Sequence, residues 1–229
     1  WKEMLNIDVQ TPFVRMPWDE AMGRFGSDKP DTRFGLELVD VTDIVRGSGF
    51  GVFNSAIAGG GSVRCICVKG GVEKFPRKKI DELAEFVKIY RAKGMAWMSL
   101  KPEGLQCSFA KFLTEAQIAD VQKAAGAEQG DILFFVADAK NEVVYASLGA
   151  LRVEIAKRLD LIDQTKFDVL WVTDFPLLEW DEEENRYVAC HHPFTSPKDE
   201  DIALLDTDPG KARAKAYDMV INGYEAGGG

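Results

Sequence analysis

Near the start of the chain, apolar residues fall at Trp18, Met22 and Phe25, the i, i+4, i+7 spacing of one helix face. Pro17 precedes them and Gly26 follows. Proline suits a first helical turn and glycine a helix end, so the pattern predicts a short amphipathic helix. Next, Gly26-Ser27-Asp28-Lys29-Pro30-Asp31 gathers turn formers that cannot extend a helix, which predicts a surface loop or a domain edge. A second glycine cluster, Gly47-Ser48-Gly49-Phe50-Gly51, invites comparison with a dinucleotide-binding turn. Such a turn ends a buried strand and opens a helix. Here Val52-Phe53 and the loop Ala58-Gly59-Gly60-Gly61 follow, and then Val63, Cys65 and Cys67 alternate as a strand. The expectation is a glycine-rich connection between strands.

From Lys78 the period becomes helical: Ile80, Leu83, Phe86, Val87 and Tyr90 form one stripe, with Gly94 as the stop. Ala96–Leu100 reads as a strand. Thr114-Glu115-Ala116-Gln117 has the composition of a capping box, and the stripe Ile118, Val121, Ala125 ends at Gly126. Ile132–Val136 and Val143–Ala146 read as two strands joined through Asp138-Ala139-Lys140-Asn141, a hairpin signal. A third helix carries Leu148, Leu151, Ile155 and Leu159. This order predicts an α+β unit over residues 31–163, two layers thick, with the sheet on one side and the helices on the other. Residues 1–30 and 164–229 then form separate segments. In the latter, Phe167–Val172 is apolar almost throughout, as a strand covered on both faces would be, and Asp181-Glu182-Glu183-Glu184-Asn185 reads as a solvated acidic turn between strands.

Composition narrows the functional classes. A net charge of -9 excludes a generally nucleic-acid-coating surface, so any RNA contact needs a local basic patch. The four cysteines have no CxxC spacing, and Cys65 and Cys67 share one face of a strand; this fits a reducing, cytoplasmic setting. No apolar run is long enough to cross a bilayer, so no membrane partner is expected.

The chain has two histidines, adjacent in Cys190-His191-His192-Pro193-Phe194-Thr195-Ser196-Pro197. Histidine exchanges protons near neutral pH and binds metals, so the pair suggests a site; the alternative is a solvated turn. Neighbouring side chains of an extended segment diverge, so at most one imidazole should face a given ligand.

With these residues on the page, a resemblance emerges. Arg15-Met16-Pro17 with Glu20-Ala21-Met22, Gly26–Asp31, Asp174-Phe175-Pro176, His191–Pro197, Ala216-Tyr217-Asp218 and Asn222-Gly223-Tyr224-Glu225 stand in the order found in bacterial-type aspartyl-tRNA synthetases, which are class II enzymes. The chain resembles an internal piece of that family, ending inside a glycine loop. The resemblance implies that residues 31–163 are an insertion domain, also found in a subunit of the tRNA-dependent amidotransferases. The flanks would be incomplete pieces of the antiparallel class II catalytic sheet, without the anticodon-binding barrel and the three signature motifs.

The implied parent reaction joins aspartate to ATP as aspartyl-adenylate and passes the aspartyl group to the 3′ end of aspartate tRNA, in a homodimeric enzyme. Neither step needs a protein nucleophile, so no catalytic residue in that sense is expected. By resemblance His191 contacts the aspartate and His192 neighbours it, while Asp218 and Glu225 hold the Mg²⁺ on ATP, with Glu225 also counted as ATP-binding. The piece alone is expected to bind neither cofactor and to be inactive. Asp218 and Glu225 are seven apart, an odd spacing that sends residues of one regular strand to opposite faces; a bulge marked by Gly223 would restore a common face. Lys74, Arg77, Lys78 and Lys79 surround a helix start, where positive charge opposes the helix dipole; this suggests contact with tRNA phosphate, and the alternative is a solvated basic turn. Two other readings stand beside this one: a free-standing tRNA- or protein-binding module, and a metallohydrolase using His191, His192, Asp218 and Glu225.

Overall fold

Helix α1 (Lys2–Leu5), strand β1 (Val14–Pro17) and helix α2 (Trp18–Phe25) open the chain, and the computed structural model describes residues 2–9 and 11–229. Two units are distinguished: Trp1–Met22, Asp28–Arg33 and Asp163–Gly229 form the first, Gly23–Ser27 and Phe34–Ile162 the second. Helix α2 forms as its spacing predicts, burying Ala21 and Phe25, and ends at Gly26 in a left-handed conformation (φ 67°). Of the two readings of the following turn cluster, the domain edge holds, since the units divide between Ser27 and Asp28, but the surface loop does not. Gly26, Pro30 and Asp31 are buried, because polar turn formers can be enclosed once their backbone and side chains find partners.

The second unit contains β2 (Leu38–Asp40), α3 (Thr42–Val45), α4 (Gly51–Ala58), β3 (Ser62–Val68), α5 (Gly71–Lys74), α6 (Arg77–Lys88), β4 (Ala96–Lys101), β5 (Gly104–Cys107), α7 (Glu115–Ala124), β6 (Ile132–Asp138) and α8 (Asn141–Arg158). The sheet order is β2-β3-β6-β4-β5 and every neighbouring pair is antiparallel. Along β6, successive side chains enter opposite cores. Ile132, Phe134 and Val136 pack with Leu38, Ile66, Trp97 and the faces of α6 and α8. Leu133 and Phe135 pack with Val63, Cys65, Met98, Phe53 of α4, Val45 of α3 and Val121 of α7.

The α+β class stands, but the layering differs from the two layers expected: helices cover both faces of this sheet. The reason lies between β2 and β3, where α3 forms ahead of the glycine-rich connection and α4 within it, in place of open loop. A second difference is the proposed hairpin. Val143–Ala146 is the first part of the 18-residue helix α8, not a strand. Val144, Leu148, Leu151 and Ile155 repeat at helical spacing, and burying that stripe outweighs the strand preference of two adjacent valines. The capping box forms as written, with Thr114 Oγ1 accepting from Gln117 N at 3.1 Å and Gln117 Oε1 accepting from Thr114 N at 3.1 Å. Arg152, buried on α8, donates through Nη2 to Gly35 O at 3.0 Å and lies over the rings of Phe25 and Phe34.

The first unit continues with β7 (Val169–Thr173), β8 (Leu178–Asp181), β9 (Arg186–Ala189), α9 (Leu204–Thr207), β10 (Tyr217–Ile221) and β11 (Tyr224–Gly228). Its sheet runs β1-β7-β10-β11; β1 and β7 are parallel and the other two pairs antiparallel. Strand β7 is not buried on both faces. Leu170 and Val172 are buried while Val169, Trp171 and Thr173 are partly exposed, the alternation of a strand with one core face. Strands β8 and β9 pair across the acidic turn, where Asp181 accepts from the amides of Glu183 and Glu184.

Candidate active site

Strands β10 and β11 turn tightly at Asn222-Gly223, both with positive φ, which favours a two-residue hairpin turn. The turn is held to the first unit at several points. Asn222 Oδ1 accepts from Asp168 N at 2.9 Å, its Nδ2 donates to Lys166 O at 3.0 Å, and its N donates to Asp168 O at 3.1 Å. Asp168 also accepts from Thr32 Oγ1 at 3.2 Å, and a Cβ on Gly223 would press on the side chain of Asp31. Asp31 is itself clamped by Arg33 through a two-point pair at 2.9 and 2.7 Å, which raises the guanidinium pKa further.

This hairpin decides where Asp218 and Glu225 lie. Gly223 is not the bulge expected from the odd spacing. It belongs to the turn, and the irregularity lies further on: Met219 pairs with Gly227 while Val220 pairs with Glu225, leaving Ala226 as the extra residue. Directly paired residues project to the same face, as do residues two apart on one strand, so Val220 links Glu225 and Asp218 to a common face. The seven-residue spacing misled because the chain reverses between the two acids.

Asp218 is only half-exposed, and Gly228 lies against its carboxylate, where a Cβ would overlap Oδ1. Burial, together with the negative charges of Glu225 and Asp28, raises its pKa above the usual aspartate value; Lys29 and His191 act in the opposite direction. Lys29 Nζ stands 3.9 Å from Glu225 Oε2 and 3.8 Å from Asp28 Oδ1. Asp218, Glu225, Asp28, Lys29 and His191 therefore share one electrostatic neighbourhood. Asp28 and Lys29 were not assigned a role from sequence, where they stood as turn formers within one of the family motifs. Their signal was the enclosed Gly26–Asp31 run.

The histidine loop is pinned on both sides. Cys190 N donates to Leu177 O at 3.1 Å and Lys215 N to Ser196 O at 2.9 Å, with further links from Ala214 N to Phe175 O and Lys198 N to Arg213 O. The two imidazoles go different ways. His191 meets Phe175 edge-on at 5.4 Å, and its Nε2 is shut off from solvent with no hydrogen-bond partner among the described residues. A buried ring nitrogen left without a partner is costly, which marks it as a group awaiting one. His192 Nδ1 accepts from Phe194 N at 3.2 Å and its ring meets Phe194 edge-on. It lines a cavity of about 290 Å³ with Phe194, Thr195, Ser196, Lys215, Ala216 and Gly229.

Beside the loop, burial raises the Asp174 carboxyl, but Lys198 and Thr173 outweigh it and leave its pKa below normal. Asp201 is brought down to about 2, chiefly by Arg213, whose side chain bonds it at 2.7 and 2.9 Å.

The four cations of the predicted tRNA patch lie in the second unit and are all exposed. Arg77 is engaged, pairing with Asp81 at 2.8 Å and lying 5.8 Å over the Trp97 ring. Lys74 ends α5, where its charge suits the helix dipole, and Lys78 and Lys79 stand in the first turn of α6.

The donor set fits a magnesium-nucleotide site in one respect: two carboxylates share one face, one of them raised by burial and by its like-charged neighbours. Among the described residues no group of three or more His, Cys, Asp or Glu could hold a metal alone. Mg²⁺ usually takes one or two carboxylates and completes its shell with water and substrate phosphates, so two suffice.

Known proteins decide the lineage. Residues 53–148 match the GAD domain family. The aspartate-tRNA ligase of Ruminiclostridium cellulolyticum is 58% identical over 230 residues, covering 100% of the chain. By sequence the whole chain is similar to one part of an aspartate-tRNA ligase. The aspartate-tRNA ligase of Halalkalibacterium halodurans is 57% identical over 228 residues, and the aspartate-tRNA(Asp/Asn) ligase of a Geobacillus species is 58% identical over 224. The chain spans 38% of the length of each of these curated relatives. No described helix is long and apolar enough to cross a membrane.

Proposed function

We propose that this chain is the part of a cytoplasmic aspartate-tRNA ligase that binds aspartate and magnesium-ATP from one side, with the insertion domain expected at residues 31–163 narrowed to Phe34–Ile162, because Asp31–Arg33 and Asp163 belong to the first unit. The observation that carries the reading is the convergence of His191, from the histidine loop, with Asp218 and Glu225, from the β10–β11 hairpin, on one neighbourhood of the first unit. Support also comes from relatives at 57–58% identity that are named for this ligation. In the intact protein, a homodimer by family, aspartate would be activated as the adenylate and passed to aspartate tRNA.

His191, with its unpartnered Nε2, would bind the substrate aspartate, and Lys29 would sit beside the phosphates. Asp218 and Glu225 are the residues that would hold Mg²⁺, which when bound supplies neutralisation of phosphate charge. The chain's own contribution is placement: the Asn222-Gly223 turn and the Asp31-Arg33 clamp fix the carboxylates, so that they need no rearrangement when substrates arrive. His192, turned toward Phe194, orients the loop and lines its own cavity. The exposed Lys74, Lys78 and Lys79, with Arg77, would meet tRNA phosphate.

Exchanging the matched stretch of the Ruminiclostridium cellulolyticum ligase for this chain should preserve aspartate-dependent ATP-pyrophosphate exchange, whereas the chain by itself should give none. A folded exchange protein without activity, or activity from the chain alone, would overturn the proposal. In the same protein, neutralising Lys74, Arg77, Lys78 and Lys79 should weaken tRNA binding and flatten its salt dependence, since each lost phosphate contact removes about 0.7–0.9 from the log-log slope. An unchanged slope would remove the patch from the interface.

A further inference from the structure

The second unit holds a cavity of about 790 Å³, between helix α4, the segment leading into β4 and the end of β6. That volume lies in the range of small-molecule sites. Its apolar wall is aromatic. Phe50, Phe53, Phe112 and Phe135 all line it, with Phe50 edge-on to Phe53 at 4.8 Å and stacked on Phe112 at 5.5 Å. Two charged residues also line it, Lys93 and Asp138. The Asp138 side chain is nearly enclosed, at 9% exposure; its Oδ1 accepts from Lys140 N at 3.0 Å and its Oδ2 faces Lys93 Nζ at 3.8 Å. The Lys93 side chain is 85% exposed, so the ammonium is free to shift toward a ligand.

The charges select the ligand. A simple anion placed beside Lys93 would be repelled by Asp138, and a simple cation beside Asp138 would be repelled by Lys93. A neutral apolar molecule would fill the aromatic wall and leave the polar edge unused. A molecule with adjacent positive and negative groups satisfies both, its ammonium on the enclosed carboxylate and its carboxylate on the lysine. Opposite charges one carbon apart on a planar apolar body describe an aromatic α-amino acid. We propose that this cavity binds a free aromatic α-amino acid as the zwitterion, at a site separate from the one formed by His191, Asp218 and Glu225 and belonging to the GAD-containing unit.

Titration of the chain with L-tryptophan, followed by amide NMR shifts, tests this together with tryptamine, which lacks the carboxylate, and indole-3-propionate, which lacks the ammonium. L-Tryptophan should saturate and shift residues around Phe53 and Asp138. Each ligand lacking one charge should bind about tenfold more weakly, the scale of one lost hydrogen bond to a charged group. Lys93→Ala should weaken L-tryptophan and strengthen tryptamine, whose ammonium it relieves of repulsion, and Asp138→Asn should weaken L-tryptophan and strengthen indole-3-propionate for the same reason. Asparagine can still accept from Lys140 N, so the start of α8 is kept. Val52→Trp, at an exposed residue lining the cavity, should block all three ligands. Absence of saturable L-tryptophan binding at these residues, or binding indifferent to both charges, would overturn the proposal.

Discussion

Asp218 shows at a single side chain what assembling the site costs. Its folded pKa is raised by burial and by Glu225 and Asp28, so the unfolded chain ionises it more readily. Stability therefore falls as pH rises from the ordinary aspartate value through the raised one, and the full penalty is present at neutrality. Asp218→Asn should raise the melting temperature at pH 7, with the gain shrinking to nothing in acid; a lower melting temperature at neutral pH would contradict this. Asp201 works in the opposite sense. Its pKa is depressed to about 2 by Arg213, so its contribution is present above the unfolded value and lost as pH falls toward 2. At this scale the sequence was partly legible. The adjacent histidines stood out by residue type and the late acids by the family motifs they sit in, while Asp28 and Lys29 had no role assigned, because the groups they act on, Asp218 and Glu225, lie more than 180 positions away in the chain.

Among elements, the informative errors share one cause. Val143-Val144-Tyr145-Ala146 has strand composition, yet it continues into the buried stripe of α8, and an 18-residue helix packed on a sheet outweighs four residues of local preference. Gly47–Gly61 looks like loop because glycines dominate it, yet α4 places Phe53 and Ala56 in the core and so adds a layer. Capping and stop signals fared better at Thr114-Gln117 and Gly26, because they depend on local geometry, although α6 ends at Lys88, well before the stop expected at Gly94. Gly26 also does something sequence could not reveal. Its backbone lies against the Tyr145 carbonyl and against Gly149 of α8, and a Cβ on either glycine would overlap the other's backbone. Gly26→Ala, at φ 67°, should cost more than about 1 kcal/mol, and Gly149→Ala should be similarly disruptive. For a chain of this size each kcal/mol is about 2–4 °C of melting temperature. Melting within 1 °C of the parent for Gly26→Ala would show that this approach tolerates a side chain.

For the whole molecule, family motifs strung through the sequence pointed to both flanks before any geometry was known, and the α+β class followed from the order of periodic segments. The number of layers did not, since a strand covered on both faces and a short buried helix segment look alike in periodicity. The central claim is that His191, Asp218 and Glu225 serve one site for aspartate and magnesium-ATP. It is tested most directly by steady-state ATP-pyrophosphate exchange in an intact ligase carrying this chain, comparing His191→Ala with Glu225→Gln. The account predicts that His191→Ala raises KM for aspartate about tenfold or more, the effect of losing a hydrogen bond to a charged group, with KM for ATP little changed. Glu225→Gln should instead raise the Mg²⁺ concentration needed for half-maximal exchange. Aspartate and magnesium dependences left unchanged by both substitutions, in folded protein, would contradict it.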